Sequence, residues 1–95
     1  MILVKVHENG GVIAMCDSDL LGKHFEKDLL QLDVSELFYG GEEMDDKQIK
    51  NLVDNARSIN IVGEESINYA IEKNLISKNQ VITIDNVPHA QVFNV

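Results

Sequence analysis

Ser58–Ile76, SINIVGEESINYAIEKNLI, holds the clearest change of period in the chain. Ile59, Ile61 and Val62 form a short apolar run that reads as a buried strand. Gly63-Glu64-Glu65 then turns the chain, and Ile67, Ala70, Ile71 and Leu75 recur at three- and four-residue steps, placing one apolar stripe on a helix. A strand followed by an amphipathic helix cannot bury both apolar faces alone. The rest of the chain must therefore supply partner strands and a second helix.

Before this unit, Ile2–Val6 and Val12–Met15 read as strands joined by Asn9-Gly10-Gly11, residues that accept positive φ cheaply, so the pair predicts a hairpin. Asp17 is placed to cap a short helix carrying Leu20, Leu21, His24 and Phe25, although Gly22 in its middle weakens a helix. Asp28–Val34 alternates as a half-buried strand, and Ser35–Met44 reads as a loop. Asp45-Asp46-Lys47-Gln48 has the spacing of a capping box, followed by a helix with Ile49, Leu52, Val53 and Ala56 on one face. After the organising unit, Asn74 suits the left-handed position that closes a helix at Glu64–Lys73. Val81–Ile84 and Ala90–Val95 are the final strands around an Asp85-Asn86 turn, and Pro88 restricts pairing there to an edge or a turn. The order expected is ββαβαβαββ. That makes residues 1–95 a single α+β or α/β two-layer domain, a mixed sheet with about three helices.

Composition narrows the function classes. With 44% apolar residues the chain is too hydrophobic for disorder, and 95 residues bury roughly 60–70% of the extended-chain surface in one domain. No apolar run approaches the ~18 residues of a membrane span, and no charged-then-apolar leader is present. Cys16 is the single cysteine, which precludes an intrachain disulfide and points to a reducing cytoplasm. The net charge of −8 is concentrated in Met1–Lys47, with 11 acids against 4 lysines. Such a charge disfavours direct nucleic-acid binding and, beyond its value for solubility, fits a basic protein partner.

Four chemistries are testable from spacing. Gly40-Gly41 and Gly63 lie near loop-to-helix junctions, where free N–H groups attract anions. Neither has a phosphate-loop spacing, and Glu42, Glu43, Asp45, Asp46, Glu64 and Glu65 already occupy those junctions. Asp33, Glu36, Glu42, Glu43, Asp45 and Asp46 lack the calcium-loop pattern, and Cys16, His7, His24 and His89 lack zinc spacing, so neither metal nor cofactor is expected. Cys16 could act as a nucleophile with His89 as base, but Asp17 beside the sulfur opposes thiolate formation, and a lone cysteine at a strand end is more often buried. Phe38-Tyr39-Gly40-Gly41 places two aromatics in an apparent loop, either as a contact surface or with Phe38 plugging the core. Val87-Pro88-His89-Ala90-Gln91 combines a rigid turn with imidazole and amide groups able to hydrogen-bond a ligand, or to serve the turn itself.

Together Cys16-Asp17, Leu20-Leu21-Gly22-Lys23, Phe25, Phe38-Tyr39-Gly40-Gly41, Val62-Gly63-Glu64 and Val87-Pro88-His89-Ala90-Gln91 resemble the archaeal family catalogued as domain of unknown function 424, over essentially the whole chain. Asn74 stands where that family is expected to carry glycine, and Asn86 is a similar replacement. The resemblance implies an archaeal cytoplasmic protein without an established activity, associated with translation or RNA through a protein partner. We therefore expect a non-catalytic binding or adaptor module whose surface draws on Phe38, Tyr39, Gly40, Gly41, Gly63, Glu64, Pro88, His89 and Gln91. The alternative is a small enzyme or ligand-binding protein with its site near Tyr39, Glu64 and His89. A homo-oligomer paired through Ala90–Val95 is a further expectation.

Overall fold

A computed structural model describes residues 1–94. Strands β1 (Ile2–His7) and β2 (Val12–Asp17) form the expected antiparallel hairpin. Strand β5 (Ser58–Val62) lies parallel to β2, and β7 (Val87–Phe93) runs antiparallel to β5 and to the short β6 (Ile82–Ile84). The result is a mixed five-stranded sheet in the order β1-β2-β5-β7-β6. Two helices cover one face: α2 (Asp46–Asn55), started by the predicted capping box of Asp45 and Gln48, and α3 (Glu64–Glu72). Their residues Ile49, Val53, Ile67 and Ala70 pack on Val4, Ile13, Met15, Ile59, Ile61 and Val92. Val95, the last residue of the predicted final strand, lies outside the described residues.

The other face is covered in part. The one-turn helix α1 (Glu36–Tyr39) packs against β1 and β2, and the hairpin of β3 (His24–Lys27) with β4 (Leu30–Asp33) packs against β6. Leu32, Val34 and Tyr39 fill the space over Ala14, Cys16, Val62 and Ile84.

The sequence reading is corrected at three elements. The helix expected to carry Leu20, Leu21, His24 and Phe25 is replaced by a single 3-10 turn at Ser18–Leu20 and then strand β3. Gly22, at φ +85°, breaks the chain into a left-handed conformation, its N–H donates to Val34, and Phe25 pairs across the strands with Leu32. Inside the expected loop, Ser35 caps α1 by accepting the Phe38 N–H. Pro88 lies at neither an edge nor a turn: β7 is internal at that point, between β5 and β6. Its carbonyl accepts from Gly63 at 2.9 Å, while the Gly63 carbonyl is already taken by the Ile67 N–H of α3, so the proline's missing donor leaves no acceptor unpaired. Elsewhere Asn74, at φ +60°, and the Asp85-Asn86 turn, at +50° and +66°, adopt the left-handed backbone that their residue types tolerate.

Asp17 does not cap the short helix beside it. It caps α3, nearly fifty residues away in sequence. Because Cys16 aligns with Val62, the next step of each strand brings Asp17 against Gly63. The Asp17 carboxylate accepts from the Ser66 N–H and hydroxyl, each at 2.7 Å, and from the Glu65 N–H at 3.1 Å. Gly63, at φ +110°, gives the carboxylate room that any Cβ would take.

Removing a buried cap strands donors that have no other partner. Asp17→Ala is expected to lower stability by about 2–3 kcal/mol in urea denaturation. A loss below about 0.5 kcal/mol, the level of an ordinary surface change, would remove Asp17 from this role.

Candidate functional site

The strand registers settle which predicted residues share a face. Directly paired residues point to the same side, and side chains alternate along each strand. Lys5, Ala14, Asn60 and Gln91 therefore form one row across the sheet, and His7, Val12, Ser58 and Phe93 a second. A third row runs Leu3, Cys16, Val62, His89 and Ile82. All belong to the face that α1 and the β3–β4 hairpin cover from opposite sides.

Phe38 is half-buried at the margin of this face. Its ring stacks on His7 at 4.7 Å, and His7 Nε2 donates to the Phe38 carbonyl at 2.8 Å. Tyr39 turns inward: it is 4% exposed, edge-on to Phe38, and packed in the cluster that holds Cys16 and Val62. The ring pair is thus split, and it is Tyr39 rather than Phe38 that enters the core. Burial, reinforced by the neighbouring Cys16, raises the Tyr39 phenol above its ordinary range.

Gly40 and Gly41 carry the chain out of α1. A Cβ on Gly41 would run into the Val4 carbonyl, because Glu42 bridges to Val4 through two backbone hydrogen bonds there. The sheet edge at β1 is blunted by that contact. At Gly63 the α3 N-terminus is filled by the chain's own Asp17 carboxylate, the position a bound anion would need. Glu64 is exposed on the first turn of α3, beside a hollow lined also by Asp19, Glu65 and Asn68. The hollow next to Gly40 and Gly41 is separate and lined by Val4, Lys5, Val6 and Met44 among others. Neither contains Tyr39 or His89. Gly63 and Pro88 meet through their hydrogen bond, and Tyr39 packs in the interior cluster that also holds Val62.

His89 is half-buried on β7, with Nδ1 2.9 Å from the Ile61 carbonyl. A carbonyl only accepts, so Nδ1 carries the proton and the neutral ring presents Nε2 as an acceptor. Burial lowers its pKa, opposed by the bond to Ile61. Cys16 shares this face, but β5 with Val62 lies between it and His89, a span of roughly 10 Å at two strand spacings. Its thiol is buried, 3.8 Å from the Tyr39 carbonyl, and desolvation followed by Asp17 and Asp19 pushes it up to about 11. A protonated thiol beyond reach of the imidazole is no nucleophile. Among the described residues, no group of three or more His, Cys, Asp or Glu is placed to hold a metal ion.

Two members of the face were not singled out by the sequence reading. Asn60 lies 9% exposed opposite Gln91, and Phe93 is 63% exposed at the end of β7. A polar residue inside the apolar run Ile59-Asn60-Ile61 was the available signal, since it marks one side of β5 as not wholly apolar.

The sequence profile of a family described as protein of unknown function (DUF424) matches residues 4–95. The crystal structure of an uncharacterized conserved protein from Methanopyrus kandleri is similar, with 27% identity and a TM-score of 0.75 over 97% of this chain and 90% of that one. No curated protein matches.

His89 makes the fold sensitive to mild acid. Its folded pKa lies below the unfolded value near ~6.5, so its contribution is complete above that value and lost as pH falls through the folded one. His89→Gln is expected to flatten the stability profile below pH ~6.5 in urea titrations. An unchanged slope would mean that the ring is not held neutral.

Proposed function

The chain belongs to the DUF424 family of proteins of unknown function, and from that membership, which carries no activity, we propose a non-catalytic binding or adaptor module of the archaeal cytoplasm. It engages a protein partner through the half-open face of its sheet. Phe38, His89 and Gln91 of the predicted surface contribute, joined by Asn60 and Phe93. The observation that carries this reading is the composition of the face. It offers an exposed ring, two amides and a neutral imidazole acceptor between two covering elements, with no nucleophile able to ionise near them. Interfaces use such rings as anchors and such amides for orientation.

The partner is basic. The elements that flank the face expose Glu26, Asp28, Asp33, Glu36 and Asp85 against Lys23 and Lys27. A net charge of −8 repels nucleic acid, so an association with translation or RNA complexes runs through a basic protein. The archaeal relative and the single buried cysteine are consistent with an archaeal cytoplasm, and among the described residues no helix is long and apolar enough to cross a membrane. Self-association through Ala90–Val95 has only the short edge of Ala90–Phe93 that β6 leaves open, since β5 pairs with the other edge. A small enzyme using Tyr39, Glu64 and His89 has less support too, since Tyr39 is buried and Glu64 lines a hollow without His89.

Pull-down from native archaeal lysate tests the reading with Gln91→Ala combined with Phe93→Ser, both exposed positions that leave the core untouched. The wild type should recover a basic protein, and the variant should recover it about tenfold less well, as loss of one hot-spot contact implies. Equal recovery by the two would reject the sheet face as the binding surface.

A further inference from the structure

The half-open sheet face carries polar groups that the fold leaves unused. Of the four buried polar residues, Asp17 and Ser66 bond each other, whereas Ser58 and Asn60 form no side-chain hydrogen bond among the described residues. Asn60 is 9% exposed and lies directly opposite Gln91 across β5 and β7, yet the two carboxamides are not bonded to each other. Among the described residues, no fully enclosed side-chain nitrogen or oxygen lacks a partner. The Asn60 carboxamide therefore opens to the surface, where an incoming group can reach it.

Rings stand at both ends of the neighbouring row. His7, stacked on Phe38, begins it on β1, and the exposed Phe93 ends it on β7, with Ser58 between them. Three strand spacings separate the two ends, roughly 14 Å. The surroundings are acidic. Asp28, Asp33, Glu36 and Asp85 are exposed and form no ion pair among the described residues, and Glu26 meets only His24, at 3.7 Å. Lys5, Lys23 and Lys27 stand beside these five acids and leave them in excess, within a chain of net charge −8.

We infer that this face holds an extended, proline-containing segment of the partner that also carries a lysine or arginine. The inference rests on the partner reading above and names the chemistry that the partner presents. A peptide lying on a sheet face cannot join the ladder beneath it, so any N–H it turned toward the sheet would be stranded. Proline has no N–H to strand. A polyproline II segment leaves its carbonyls free of internal hydrogen bonds and rises ~3.1 Å per residue, so about five residues bridge the two rings. The rings pack on the pyrrolidines, as aromatic-lined grooves do for such segments, while the Asn60 and Gln91 amides donate to the carbonyls. The basic side chain meets the unpaired carboxylates, where local and overall charge act in the same direction. Single-stranded nucleic acid would also find rings and amides here, but those carboxylates and the net charge repel its phosphates.

The test is an amide-shift titration of the isotope-labelled full chain with a blocked hexapeptide, Pro-Pro-Lys-Pro-Pro-Arg. Alanine at every proline gives one control, glutamate at both basic positions a second, and a single-stranded oligouridine a third. The proline peptide should shift amides at His7, Asn60, Gln91 and Phe93, with Kd near ~1 mM and weakening as salt rises from ~50 to ~500 mM. Phe93→Ser, at an exposed position, and Asn60→Thr, which keeps a strand-forming residue, should each weaken binding about fivefold with the remaining spectrum in place. No shifts at several millimolar would overturn the proposal. So would equal binding of the alanine or glutamate peptide, unaffected variants, or tighter binding of oligouridine at this face. A silent titration, beside a pull-down that still loses its basic protein in the Gln91→Ala and Phe93→Ser variant, rejects the proline segment alone. Equal recovery in that pull-down rejects the face itself.

Discussion

The carboxylate of Asp17 is the contact on which the arrangement of this molecule depends. It stands at the end of β2 and accepts three hydrogen bonds from the first turn of α3, joining two elements that are far apart in sequence. A helix start leaves N–H groups unpaired, and a buried one must find acceptors inside the protein. Here the acceptor arrives from the neighbouring parallel strand, so the β2–β5 register and the start of α3 are fixed by one side chain. Gly63 follows from the same constraint, because the carboxylate occupies the volume of a Cβ. Pro88 follows too: with the Gly63 carbonyl turned into α3, the facing position of β7 needs no donor.

Where local signals carried the structure, the sequence was sufficient. The β1–β2 hairpin turn and the capping box before α2 depend on residues within a few positions of each other. Asn74 and Asp85-Asn86 belong with them, since left-handed backbone selects its residue types locally. Where a distant partner decided the outcome, periodicity misled. The pattern of Leu20, Leu21, His24 and Phe25 fits a helix, yet Phe25 finds Leu32 across a hairpin, and a tertiary pairing outweighs a modest propensity. Pro88 likewise reads as an edge residue until the path of Gly63 is known.

The candidate surface divides in the same way. Phe38, His89 and Gln91 do lie on one face of the sheet, whereas Tyr39 serves the core beneath it and Gly40, Gly41 and Gly63 permit close backbone approaches. Asn60 could be joined to Gln91 only through the β5–β7 register, which a single sequence does not contain. The fold thus places Tyr39, Gly40, Gly41 and Gly63 in internal contacts.

Native-state hydrogen exchange at Glu65 and Ser66 gives the most direct test of the contact on which this arrangement rests. If Asp17 holds the start of α3, both amides should exchange only through global unfolding, with protection equal to that of the central β5 amides. Exchange of Ser66 at the rate of a fraying helix end, while β5 remains protected, would show that the two elements are not joined there.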